Sequence, residues 1–234
     1  YQTMPETSWN YWNLIKFNEH PREDGSMQWL MRKDQCMHCA DPGCLKACPA
    51  PGAIVQYENG IVDFQQENCI GCGYCITGCP FNVPKLSAQT KKVYKCTLCV
   101  DRVAVGLEPA CIKACPTSCL QFGSKENLLL KAKKRVDQLK AAGFSTASIY
   151  DPGGVGGTGV VTVLAFGDKP EAYGLPANPS IPFAVELWKQ PLKWIGNLAI
   201  VGGIIGTFLH YLRYGPKHVP QETKTREAEA GGKQ

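Results

Sequence analysis

The stretch Glu67-Asn-Cys-Ile-Gly-Cys-Gly-Tyr-Cys-Ile-Thr-Gly-Cys-Pro-Phe81 sets four cysteines, Cys69, Cys72, Cys75 and Cys79, in the run C-x2-C-x2-C-x3-C-P. Three thiolates so closely spaced wrap neighbouring iron corners of one 4Fe-4S cubane, and the fourth, three residues further on, reaches a different cluster. Pro80 then turns the chain away without leaving an amide unpaired. Upstream lies Cys36-x2-Cys39-x4-Cys44-x3-Cys48-Pro49, and downstream Cys96-x2-Cys99-x11-Cys111-x3-Cys115-Pro116. Twelve of the thirteen cysteines fall into these three groups, and none occurs after Cys119. A disulfide framework stapling the whole chain is excluded by that clustering.

The same rule pairs the first two groups crosswise. Cys36, Cys39 and Cys44 with Cys79 hold one 4Fe-4S cluster in this reading, and Cys69, Cys72 and Cys75 with Cys48 hold a second. The expected fold is α+β: ferredoxin-like double 4Fe-4S modules with short hairpins and helices, plus a single C-terminal transmembrane helix. Zinc is the competing reading, and only the third group, two cysteine pairs a dozen residues apart, resembles its usual spacing. By crosswise logic Cys96, Cys99 and Cys111 need a fourth ligand from elsewhere, and Cys115 needs three partners. Cys119 reads as a small buried filler on a strand. Gly43, Gly71, Gly73 and Gly78 beside the ligands allow close backbone approach.

The rest of the chain divides by composition. Residues 1–34 read as a hairpin, Trp-rich before the polar Asn18–Ser26 and apolar after it. Residues 35–123 form the cluster domain, in which Ala53–Tyr57 and Ile61–Phe64 flank Asn59-Gly60, a two-residue hairpin signal. Residues 124–190 carry a helix capped by Ser124 and ended by Gly143, with Leu128, Ala132, Val136 and Leu139 on one face, then the Gly153–Gly159 loop and a strand over Val160–Phe166. The glycine loop is followed neither by Lys-Ser/Thr nor by a helix pattern, so it does not read as a phosphate loop. Net charge is +5, from 25 basic and 20 acidic residues with no basic stripe, which argues against nucleic acid. His20, His38, His210 and His218 are scattered, with no nucleophile paired to a base, so no catalytic centre is expected on this chain. His38 reads as a loop residue.

Residues 191–213 are the expected membrane span. From Trp194 to Leu212 nineteen residues run without a charge, long enough, at roughly 28 Å, to cross the hydrocarbon layer. Gly202-x3-Gly206 with Ala199 and Gly203 offers a small-residue packing face, and His210, near the inner end, reads as an interfacial histidine. The tail, 214–234, with Arg213 before it, is richer in Lys and Arg than the approach to the helix, which places the tail in the cytoplasm and the cysteine-rich body on the periplasmic side. The chain starts at Tyr1 rather than Met, so a preceding segment is expected.

The runs Arg32–Pro49, Glu67–Phe81 and Val93–Arg102, with the C-terminal helix, resemble the iron–sulfur (beta) subunit of membrane-bound respiratory formate dehydrogenase. The similarity extends through Tyr150–Gly159. The iron–sulfur subunits of membrane-bound hydrogenases and of other molybdopterin oxidoreductases are the alternatives. The resemblance implies a fourth cysteine group ahead of Tyr1 and four 4Fe-4S clusters in the complete subunit, two of them fully liganded by this chain. It further implies a catalytic molybdopterin subunit with molybdenum or tungsten, and a cytochrome b membrane subunit that carries haem and passes electrons to quinone.

Overall fold

The computed structural model describes residues 4–22 and 24–215, so the basic tail on which the orientation was read lies outside the described residues. The chain falls into two units, Tyr1–Glu186 and Leu187–Gln234.

Among its described residues the first unit is built from four separate two-stranded antiparallel pairs and six short or medium α-helices, without a central sheet. β1 (Leu14–Pro21) pairs with β2 (Met27–Asp34) across the polar turn the sequence marks, with Gly25 at φ +80°. Trp9 and Trp12 of the segment before it lie 6.1 and 6.5 Å from the Tyr94 ring, which accounts for the tryptophan-rich start. α1 (Gly43–Ala47) follows, then β3 (Ile54–Gln56) and β4 (Val62–Phe64). The turn between these strands differs from the expected two-residue form. Tyr57 N–H bonds the Ile61 carbonyl and Gly60 N–H bonds the Tyr57 carbonyl, so Glu58-Asn59-Gly60 form a three-residue loop in which only Gly60 has positive φ.

α2 (Tyr74–Thr77), β5 (Lys85–Leu86), β6 (Val93–Tyr94), α3 (Val100–Ala104) and α4 (Ala110–Lys113) complete the cysteine-bearing part. Strands of two or three residues are too short to stand alone. They persist because β3, β4 and β6 present Ile54, Val62, Phe64 and Val93 to a core shared with Cys44 and Cys75.

α5 (Lys125–Ala141) begins where Ser124 Oγ accepts from Asn127 N–H and buries Ala132 and Val136, with Leu128 and Leu139 half-buried on the same face. β7 (Ser148–Tyr150) pairs with β8 (Thr162–Leu164), shorter than the strand expected over Val160–Phe166. Leu164, Tyr150, Val155, Tyr173 and Leu175 form a second core with Leu30, Met37 and Cys39. Arg32 is buried there, and its guanidinium donates to the carbonyls of Tyr173 and Gly174 and pairs with Asp34 at 3.1 Å. α6 (Phe183–Leu187) ends the first unit and enters the second.

In the second unit a wide π-type turn over Trp188–Leu192, where Pro191 removes an amide, leads into α7 (Lys193–Tyr214). α7 is the one helix among the described residues long and apolar enough to cross a membrane. Thr207 Oγ1 donates to the carbonyls of Gly203 and Ile204, hiding its hydroxyl from an apolar surround, and the His210 ring lies 5.0 Å from that of Tyr214.

Candidate metal centres

Two apolar cavities gather the cysteines of the first two groups. One is lined by Cys36, Cys39, Cys44 and Cys79 with Val62, Val83 and Lys95 among its walls. The other is lined by Cys48, Cys69, Cys72 and Cys75 with Ile54, Phe64 and Val93. Each cage thus takes three sulfurs from one group and one from the other.

The crossing is carried by α1 and α2. Cys44 lies on α1 and Cys48 caps it, while Cys75 lies on α2 and Cys79 follows it. Each helix therefore spans from one cage to the other over about one turn, or ~6 Å. The two helices meet backbone to backbone: a Cβ on Gly43 would stand 2.3 Å from the Gly78 carbonyl oxygen, and one on Gly78 would stand 2.6 Å from Ala47 Cβ. Gly71 sits as close to the Lys91 carbonyl, where a Cβ would be 2.1 Å from the oxygen, and also has φ +70°. Gly73 needs its glycine for a different reason, φ +78° at the start of α2, with only Ile76 Cδ1 nearby.

The opening C-x2-C loop of each group has the same backbone turn. The residue before the second cysteine has positive φ in each: His38 at +47°, Gly71 at +70° and Leu98 at +53°. A leucine in that region is uncommon. The turn aims an amide back at sulfur, with His38 N–H 3.5 Å (donor to acceptor) from Cys36 Sγ and Leu98 N–H 3.4 Å from Cys96 Sγ. Such N–H···S contacts are among the protein's means of setting cluster potential.

Electrostatics favour a cationic guest. Burial pushes the Cys39 and Cys75 thiols up to about 12 and Cys44 well above the ordinary thiol value, and the negative charge of neighbouring cysteines adds to it. Thiolates crowded in an apolar cage repel one another unless iron neutralises them. Cys36 behaves differently: burial would raise it, but His38 and the Lys95 ammonium hold it down to about 6. No three of His, Cys, Asp or Glu among the described residues converge tightly enough to hold a single ion. The sulfurs of each cage surround a space rather than a point, which suits a polynuclear cluster better than zinc. Thiolate donors, apolar walls and amides aimed at sulfur fit a 4Fe-4S group.

The third group is placed less completely. Cys96 is buried against Cys36 and Val83, while Cys99, Cys111 and Cys115 are half-buried at the start of α3, on α4 and just after α4. The Leu120 amide and the Thr117 hydroxyl hold Cys115 down to about 6. Cys119 is neither buried nor on a strand: it is exposed, its sulfur 3.5 Å from that of Cys115. A small residue expected in the core lies instead in the exposed loop after α4.

Two supports escaped the sequence reading. His38 is only 2% exposed; its Nδ1 accepts from Val62 N–H at 3.1 Å, and Nε2, which meets no nitrogen or oxygen partner, turns toward the Cys36 and Cys96 sulfurs. The Gly153–Gly159 loop clamps the first cysteine loop from outside. Ala40 N–H bonds the Gly157 carbonyl, Asp41 N–H that of Val155, Gly159 N–H that of His38 and Val160 N–H that of Met37. Asp151 holds the clamp by accepting from Thr158 N–H at 2.6 Å and pairing with Lys125 at 2.8 Å. Glycine is required where the loop presses closest, since a Cβ on Gly154 would stand 2.4 Å from the Pro179 carbonyl oxygen.

Comparison with known proteins bears on the whole chain. Residues 27–125 match the 4Fe-4S dicluster domain family, and residues 181–224 match the family described as formate dehydrogenase N, transmembrane. The chain carries a dicluster domain for 4Fe-4S clusters and is membrane-anchored. It is 57% identical over 206 residues to the formate dehydrogenase iron-sulfur subunit of Haemophilus influenzae, covering 88% of this chain and 66% of that protein. Against the nitrate-inducible formate dehydrogenase iron-sulfur subunit of Escherichia coli K12 the identity is 54% over 217 residues, 92% of this chain and 74% of the relative. A hydrogenase-2 operon protein of Escherichia coli O157:H7 matches less, at 40% over 125 residues, 51% of this chain and 37% of that protein. The chain thus spans about two thirds to three quarters of the length of the formate dehydrogenase relatives it matches. On identity and coverage together, the chain belongs to the family of formate dehydrogenase iron–sulfur subunits.

Proposed function

We propose that this chain is the electron-transfer subunit of a respiratory formate dehydrogenase, and that Cys36, Cys39, Cys44 and Cys79 hold one 4Fe-4S cluster while Cys48, Cys69, Cys72 and Cys75 hold another. The observation that carries the reading is the pair of apolar cages, each collecting four sulfurs from two separate sequence groups. When bound, a 4Fe-4S cluster supplies a reversible one-electron store. The residues of the chain bind it through thiolates, exclude water with Ile54, Val62, Val83 and Val93, and direct amides at sulfur. α1 and α2 each carry or lead into a ligand of both clusters, so the two stores lie side by side, as a relay needs.

Cys96, Cys99 and Cys111 belong to a third cluster and Cys115 to a fourth, each completed by ligands from outside this stretch. The shared loop shape at Leu98 supports that assignment over zinc. Electrons enter from a catalytic subunit carrying a molybdenum or tungsten pterin centre, which oxidises formate, and leave toward a membrane cytochrome b, its haem and quinone. The excess of Lys and Arg beyond α7 supports a cytoplasmic tail and a periplasmic cluster body.

Formate added without air to the purified complex tests this. The cluster absorbance bleaches with formate and not with hydrogen. Bleaching by hydrogen alone, or by neither, overturns the reading.

A further inference from the structure

Lys95 is the charged group built into the wall of the first cage. It is 2% exposed, lines the cavity shared by Cys36, Cys39, Cys44 and Cys79, and has no ion-pair partner among the described residues. Its position is fixed three ways: Nζ donates to the Val62 carbonyl and, at 2.9 Å, to the Cys96 carbonyl, and stands 5.2 Å from the centre of the Phe64 ring. Burying an ammonium without a carboxylate is unfavourable, so its retention there needs a negative partner. A cluster ligated by four thiolates supplies one.

The second cage offers an internal comparison. Lys92, three residues earlier on the same β6 segment, donates to the Cys69 carbonyl in the same manner but is only half-buried, and water screens its charge. The other polar side chain beside the first cage, His38, accepts at Nδ1 from Val62 N–H and packs outside the cavity lining, against the Cys36 and Cys96 sulfurs. Lys95 is therefore the cation that lines the cage itself.

We propose that Lys95 raises the reduction potential of the cluster held by Cys36, Cys39, Cys44 and Cys79, its buried ammonium stabilising the extra negative charge of the reduced state. The inference rests on the first cage holding a cluster.

The test is a redox titration of the purified complex followed by electron paramagnetic resonance, with iron counted in each variant. In Lys95→Met and Lys95→Gln, reduction of one cluster becomes at least about tenfold less favourable, a fall of about 59 mV for a one-electron couple. Lys95→Arg and Lys92→Met each stay within about threefold of the parent. Gln keeps donors for both carbonyls, so it carries the test where Met does not assemble. A full iron count with no shifted midpoint in Lys95→Gln overturns the proposal. So does loss of the cluster from both neutral variants, which makes Lys95 a structural prop. A parent complex without iron–sulfur signals fails earlier and overturns the cluster assignment itself.

Discussion

Replacing Gly43 by alanine perturbs both cages through one contact. The added methyl stands 2.3 Å from the Gly78 carbonyl oxygen and 3.4 Å from Ile181 Cγ1. The nearer obstacle is backbone on an adjoining helix, so no rotamer relieves it. Restoring ordinary contact moves α1 and α2 apart by about 1 Å, in an interior packed like a crystal. Overpacking of this kind costs about 1–3 kcal/mol, and more where backbone must shift. Geometry matters more than that figure, because α1 carries Cys44 and Cys48 while α2 carries Cys75 and leads into Cys79. Ligands must be held within about 0.5 Å of their working positions, so a ~1 Å separation opens one side of each cage. Iron and acid-labile sulfide per chain, with the lifetime of the visible absorbance in air, read the effect: both clusters are lost or become short-lived together. Gly25→Ala is the control. It sits at φ +80° with nothing within 4 Å of its Cβ, so it adds about 1–2 kcal/mol of local strain in the β1–β2 turn and leaves the iron count unchanged. Gly43→Ala with full iron and the parent's lifetime would refute this account of the crossing.

Asp151→Ala removes the acceptor that holds Thr158 N–H, a group 1% exposed, at about 1–3 kcal/mol. The Cys36–Cys39 loop then loosens, and cluster decay in air quickens. Burial would raise the Asp151 carboxyl, but Lys125 and the Thr158 amide hold it below its ordinary value; its stabilisation is therefore complete above about pH 4 and lost only as pH falls through the lower folded value. The variant's handicap is consequently the same at pH 6 and pH 8, and a handicap confined to either end contradicts the assignment. Cys119→Ser leaves iron and sulfide unchanged, since an exposed thiol beside Cys115 is not needed as a ligand; a fall in iron makes it one. Deleting residues 191–213 moves the chain from the membrane fraction to the supernatant, measured by sedimentation after carbonate washing, and retention in the membrane locates the anchor elsewhere.

The grouping of sulfurs into cages is readable from loop length alone, because a cysteine three residues beyond a C-x2-C-x2-C turn cannot bend back to the same cluster. The α5 face and the β1–β2 hairpin are readable for a similar reason: period and turn chemistry are local. Contacts across a hundred residues are not. The clamp of Gly153–Gly159 on Met37–Asp41 leaves no mark on either stretch except a run of glycines, which by itself suggests a flexible loop. His38 and Lys95 are polar residues at buried positions, so composition sends them to the surface. Positive φ at Gly71 is legible in its glycine, whereas at His38 and Leu98 it is imposed by the loop. Cys119 shows the opposite failure, a residue type that favours the interior lying in an exposed loop.

Iron and acid-labile sulfide per chain in the purified complex test the crosswise cages most directly. With haem iron and any clusters of the partner subunits counted separately, the two cages together require about eight of each, and completion of the third group's clusters brings the total to about sixteen. Fewer than about eight, or zinc in place of iron, contradicts the account.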